Sequence, residues 1–197
     1  MEILLGEGTE IDWIGGEGKT ALHLAAQYGH KRVVQILLDH GADIEAHCEP
    51  FGNPLMILHH AGNTPLHRAA EGDNTGGRQE SIVRLLLDRG TDINARSLRL
   101  RTPLQAAVMY SRTGNEATAT IRLLLERGAH VNAFDTEGWA PLYEAACYGK
   151  HDIAQILLRH RAHIEGRPPE SDPANASNPL LLPGQHLRTP LILASES

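Results

Sequence analysis

TALHLAA, running from Thr20 to Ala26, is met again as TPLHRAA at Thr64, TPLQAAV at Thr102, APLYEAA at Ala140 and TPLILAS at Thr189. A second pattern follows each of the first four: VVQILLDHGADIEA, IVRLLLDRGTDINA, TIRLLLERGAHVNA and DIAQILLRHRAHIEG. The opening MEILLGEGTEID matches the tail of the same unit. Self-similarity at a fixed period marks an array of stacked units, and it takes precedence over any single short motif.

The chemistry of the unit is local. Thr20, Thr64, Thr102 and Thr189 are suited to cap a helix, and Pro65, Pro103, Pro141 and Pro190 are pre-set for its first turn. Leu22, Ala25 and Ala26 share one face at helical spacing, and small alanines let a second helix come close. In RLLLDRG the apolar positions face that first helix, with Gly90 placed for a left-handed C-cap. Asp92, Ile93 and Asn94 then open an extended turn toward the next unit. One helix pair cannot bury its apolar face alone, so neighbours must stack.

This unit resembles the ankyrin repeat, whose motif is T-P-L-H-x-A and whose period is about 33 residues. The resemblance implies an all-α fold, a solenoid of helix-turn-helix units with projecting hairpin-like loops. It predicts a partial repeat over 1–14 and full repeats over 15–58, 59–96, 97–134 and 135–166. A loop insertion over 167–187 and a second partial repeat over 188–197 follow. Motif starts lie 44, 38, 38 and 49 residues apart, so the surplus over about 33 is carried by inserted loops. Those insertions are HCEPFGNPLMILHHAGN, EGDNTGGRQE, YSRTGNEAT and the Pro-rich GRPPESDPANASNPLLLPGQH. Both ends read as partial units, as in a window cut from a longer array.

GGEGKT, Gly15 to Thr20, ends like a phosphate-binding loop, but Trp13 stands where G-x-x-x-x-G-K-[ST] requires its first glycine. The repeat explains the letters better, since GNT at Gly62 is its counterpart. No nucleotide or other cofactor is expected. Net charge is −6 with both signs interspersed, which disfavours nucleic acid. No apolar run nears the roughly 20 residues of a membrane span, and the start lacks a signal-peptide pattern. Two cysteines, Cys48 and Cys147, make no disulfide framework and suit an intracellular setting.

Catalysis and metal binding find little support. His23 and His67 occupy the motif position, where the family's imidazole ties neighbouring loops together. His40 and His160 fall in last turns of helices, where partial positive charge is favoured. His47, Cys48, His59 and His60 cluster around the first long loop, yet their spacing matches no zinc-finger pattern. Asp43 and Glu45 resemble a catalytic carboxylate pair but recur as the ADIE loop, a structural role. No nucleophile elbow is present. Arg96, Arg99 and Arg101 form a basic finger, suited to an acidic partner or simply solvated.

The resemblance implies a protein-binding scaffold without catalysis, expected to be monomeric, gripping its partner on a concave face. The family's variable positions flank the motif. Here they are Glu17, Lys19, Gln27 and Tyr28, then Asn63 and Glu71, then Arg99, Arg101, Met109 and Tyr110, and finally Glu137, Trp139, Cys147 and Tyr148. Tyr, Trp, Met and Arg are enriched at interface hot spots. The tyrosines are equally suited to packing against a neighbouring repeat. A second function reading is a regulatory or targeting segment of a larger enzyme or signalling protein.

Overall fold

The computed structural model describes residues 10–50, 60–72, 78–111 and 115–164. The 167–187 insertion, the partial unit at 188–197, residues 1–9 of the first partial unit, and His59 lie outside the described residues. Among the described residues lie eight helices: α1 (Ala21–Gln27), α2 (Lys31–Asp39), α3 (Pro65–Glu71), α4 (Arg78–Asp88), α5 (Pro103–Tyr110), α6 (Asn115–Glu126), α7 (Pro141–Cys147) and α8 (His151–Arg159). No strand occurs among the described residues.

The helices form four antiparallel pairs. The short inner helices α1, α3, α5 and α7 pack in sequence, as do the outer helices α2, α4, α6 and α8. Stacking is close because Ala26, Ala69 and Ala145 are fully buried between inner helices, where a larger side chain would hold them apart. The motif leucines Leu22, Leu66, Leu104 and Leu142 and the outer-helix residues Ile82, Leu86, Ile121, Leu124 and Leu157 complete one continuous core. Leu86 and Leu124, on the outer helices α4 and α6, are fully buried.

Each inner helix begins where its sequence dictates. Thr20, Thr64 and Thr102 form capping boxes, in which the third helical residue (His23, His67 or Gln105) reaches back to the cap. Ala140 caps the fourth pair without a side-chain bond, and there Glu144 lies in the first turn. Before Thr20, Thr102 and Ala140 the chain makes a tight finger, closed by Gly15 N–H to Lys19 O at 3.0 Å, Ser97 N–H to Arg101 O at 3.0 Å, and Asp135 N–H to Trp139 O at 3.1 Å.

Two hydrogen-bond series join one repeat to the next. Along the loops, Asp12 accepts from the Asp43 N–H, Glu45 from Asp92, Asn94 from His130 and Asn132 from His163. Asp43 itself accepts from the Glu45 N–H, so this carboxylate pair is committed to the loop. Along the inner helices, His23 Nε2 meets Asn63 O at 3.0 Å and His67 Nε2 meets Arg101 O at 2.9 Å. Gln105 Nε2 donates to Trp139 O at 2.7 Å. In both histidines Nδ1 accepts from the backbone N–H of the capping threonine, which leaves Nε2 as the protonated donor of a neutral ring. Burial pushes both imidazoles down to about 4, favouring that neutral form.

Candidate protein-binding surface

The fingers and the ends of the inner helices carry the expected contact residues. After the paired small residues stand Tyr28, Gly72, Tyr110 and Tyr148, one per repeat. Tyr28 and Tyr148 are 55% and 54% exposed. Tyr110 is half-buried and stacks on His60 with ring centroids 5.9 Å apart. Burial pushes its phenol up to about 12. At Gly72 the row is interrupted for a steric reason: a Cβ there would lie 1.6 Å from Gln79 Nε2, which donates to Gln27 O at the end of α1. Trp139 is half-buried against a small cluster of Phe134, Ala140, Tyr143 and Cys147.

The charged positions are mostly spoken for inside the chain. Lys19, the lysine of GGEGKT, pairs with exposed Glu17 at 2.8 Å within the first finger. Arg99 pairs with exposed Glu137 across adjacent fingers at 2.7 Å. Asn63 is buried and donates to Glu71, whose carboxylate also takes Arg68 at 2.5 Å. Arg68 continues to His60 and to Gln27 in the preceding repeat. Burial works to raise the Glu71 carboxyl, but the His60 hydrogen bond and the Arg68 charge outweigh it and leave it lowered. Arg101 is buried as well, on Asp135 at 3.2 Å and the Met109 sulfur at 3.0 Å.

Arg68 and Arg101 therefore reach into neighbouring repeats, and Asn63 is tied to the first through its carbonyl, while Glu71 holds Arg68 within the second. Glu17, Tyr28, Glu137 and Tyr148 are open to solvent, and Lys19, Gln27, Arg99, Met109, Tyr110, Trp139 and Cys147 are intermediate.

Sequence reasoning missed several residues that shape this face. Arg68 and Glu144 occupy the motif's variable position, apolar in LHLAA and LQAAV, and a charge there between small residues was the available signal. Glu144 is 2% exposed and burial pushes its carboxyl up to about 8, although Arg101 pulls it down. Lys150 was not singled out either. Its ammonium is surrounded by Val108 O, Met109 O, Ser111 O and Ser111 Oγ at 2.6–3.2 Å, clamping the end of α5 from the following repeat. It also lies 5.4 Å from the centre of the Tyr148 ring, which holds that exposed tyrosine by a cation–π contact. No local pattern announces such a contact.

Among the described residues no helix is long and apolar enough to cross a membrane. Cys48 is buried and free, its thiol pushed up to about 11 by burial, and Cys147 is free and partly exposed.

Comparison with known proteins agrees with this architecture. The family model for ankyrin repeats (3 copies) matches residues 1–97 and 78–167. The NF-kappa-B inhibitor cactus of Drosophila melanogaster is 37% identical over 78 residues, which is 40% of this chain and 13% of that protein. The Neurogenic locus Notch protein of Drosophila melanogaster is 37% identical over 94 residues, 47% of this chain and 3% of that protein. The inactive serine/threonine-protein kinase TEX14 of Bos taurus is 33% identical over 90 residues, 46% of this chain and 5% of that protein. The match thus spans only a small part of each relative's length.

Proposed function

The chain belongs to the ankyrin-repeat family, whose arrays are generally protein-interaction modules, and on that premise we propose a non-catalytic scaffold that binds a partner protein on the concave face formed by fingers and inner helices. The observation that carries this reading is the pair Tyr28 and Tyr148, each more than half exposed at the same register of the first and fourth repeats. Two large aromatic side chains held at fixed places on a stacked frame offer rigid contact area at low entropic cost. Between them lie Tyr110 and Trp139, partly open, and neighbouring Arg68, Arg101, Lys19 and Arg99 are already paired with carboxylates. Contact area, with the exposed Glu17 and Glu137 at the rim, is therefore the main resource of this face. By name, cactus acts on NF-kappa-B, which supports a partner-binding role for arrays of this kind.

Affinity capture with the full chain, followed by titration of the captured partner, tests the reading. Tyr28→Ala and Tyr148→Ala should each weaken binding by about 1–3 kcal/mol with little loss of fold. Trp139→Ala should weaken it similarly, and Arg84→Ala and Arg122→Ala on the outer helices should be near neutral. Unchanged binding in all three aromatic variants would overturn the assignment of this face. A second reading is favoured by the small share of each relative that the match spans: the array is the regulatory or targeting segment of a larger protein. It uses the same surface.

A further inference from the structure

The last carbonyls of a helix have no partner within it, and the partial negative charge gathered there draws cations. At the end of α1 the outer helix of the next repeat supplies one neutral donor: Gln79 Nε2 donates to Gln27 O at 3.0 Å. The end of α5 is built differently. Val108 O, Met109 O, Ser111 O and Ser111 Oγ converge on the Lys150 ammonium at 2.6, 2.9, 2.8 and 3.2 Å. The Ser111 hydroxyl donates its own proton to Val108 O at 2.8 Å, which leaves its oxygen to accept from the ammonium. The Ser111 N–H returns to Ala107 O, so the backbone that carries these oxygens is tied to the helix.

The chemistry of this cage selects its occupant. All four acceptors are neutral oxygens, whereas calcium and magnesium sites rely on carboxylates or waters and on shorter bonds of roughly 2.0–2.6 Å. The distances are those of N–H···O hydrogen bonds, and a primary ammonium brings three rotatable donors to one point. A guanidinium spreads its donors in a planar fork that suits a carboxylate instead. The Tyr148 ring, its centre 5.4 Å from the nitrogen, adds an aromatic wall. The first repeat shows what is particular to the fourth. Tyr28-Gly29-His30 matches Tyr148-Gly149-Lys150 in register, with Gly29 and Gly149 both at positive φ, +74° and +63°. His30 likewise lies near its tyrosine, with ring centroids 6.3 Å apart, but an imidazole carries at most one donor on each ring nitrogen.

We propose that the end of α5 is a binding site for one primary ammonium group, with Lys150 as its tethered occupant and Tyr148 as its wall. The ligand class is an unbranched alkylammonium, of which the lysine side chain is the built-in member. Occupancy joins the third repeat to the fourth and holds Tyr148 in place, whichever partner the concave face takes.

Chemical rescue of the full chain tests this. Lys150→Ala removes a propylammonium fragment and leaves the four oxygens, so n-propylammonium chloride is the probe. In that variant amides 108–111 should exchange about five- to a hundredfold faster than in the parent. Added n-propylammonium should restore their protection and raise the thermal midpoint saturably. Tetramethylammonium chloride at equal concentration, a cation with no N–H, should do neither, and the parent should respond alike to both salts. The proposal is overturned if the variant gives no saturable response to n-propylammonium, if both cations rescue it equally, or if n-propylammonium raises the parent's midpoint by as much. Should Lys150→Ala not fold, the parent carries the test. Its Lys150 ammonium protons should exchange with water slowly enough to give an NMR signal, and Ser111→Ala should speed that exchange severalfold. Ammonium protons on Lys150 that exchange as fast as those of exposed Lys31 overturn the proposal.

Discussion

Arg161 stands with φ +67° at the end of the fourth repeat, where Gly41, Gly90 and Gly128 hold φ of +87°, +88° and +94° in the other three. The left-handed conformation is imposed by the helix end: the Ala162 N–H returns to Leu157 O as Ala42, Thr91 and Ala129 return to theirs. A side chain bearing Cβ pays roughly 1–2 kcal/mol for this conformation and glycine does not. Arg161 is exposed, so little packing is lost on removing it. Arg161→Gly should raise stability by about 1 kcal/mol, seen as a higher denaturant midpoint at unchanged slope. Leu100 (φ +57°) breaks a second glycine register shared with Gly18, Gly62 and Gly138. It is half-buried, so Leu100→Gly should gain less, because relief of the backbone is offset by lost contact.

At the scale of the element, each helix pair is a wedge whose stability comes from the stripe facing its neighbours. Leu86 of α4 and Leu124 of α6 are fully buried, and Leu→Ala at either should cost about 2–5 kcal/mol through lost transfer energy and a residual cavity. Arg84 on the same α4 is exposed and pairs with Glu80 one turn away, so Arg84→Ala should change stability by less than about 0.5 kcal/mol. Equilibrium denaturation of the three variants checks the contrast. Helix ends depend on neighbours too. Burial holds the Lys150 ammonium below its usual range, yet it supplies the charged donors that satisfy carbonyls at the end of α5. Lys150→Met should cost about 1–3 kcal/mol and raise hydrogen exchange selectively around residues 108–111.

For the whole molecule, three buried groups set opposing responses to pH. His23 and His67 are pushed from 6.5 down to about 4, so the unfolded chain binds more protons between those values. Their contribution is complete above pH 6.5 and is lost as pH falls toward 4, by roughly 3 kcal/mol each at most. Glu144 runs the other way. Its carboxyl is raised from 4.5 to about 8, so the folded chain binds more protons, and stability present below 4.5 is lost as pH rises toward 8. His67→Gln copies the natural arrangement at Gln105 and should flatten the acid limb of the profile while keeping the fold. Glu144→Gln should leave stability unchanged near pH 4 and raise it at pH 8. Parallel profiles for parent and variants, measured by denaturation from pH 4 to 8, would refute these assignments.

Much of the array follows from residues close together in the chain. A threonine cap, its histidine or glutamine partner three residues on and the buried leucine between them need only one turn of helix, so they could be read at Thr20, Thr64 and Thr102 directly. The same holds for the leucines of the outer helices, whose spacing aims them at one face. The candidate contact surface was less legible. Lys19, Asn63, Arg101 and Trp139 share one register, yet Lys19 holds an exposed glutamate, Asn63 and Arg101 are buried, and Trp139 rests on Phe134 and Tyr143. What separates them is the complement offered by other parts of the stack: Asp135 lies 34 residues beyond Arg101, and Gln27 lies 41 residues before Arg68. The sequence by itself determined where helices begin, end and bury, because capping and periodicity act over a few residues. Only the tertiary structure decided which charges are consumed within the stack and which aromatic rings remain open, because desolvating a charge is tolerated only where a neighbouring repeat supplies its partner.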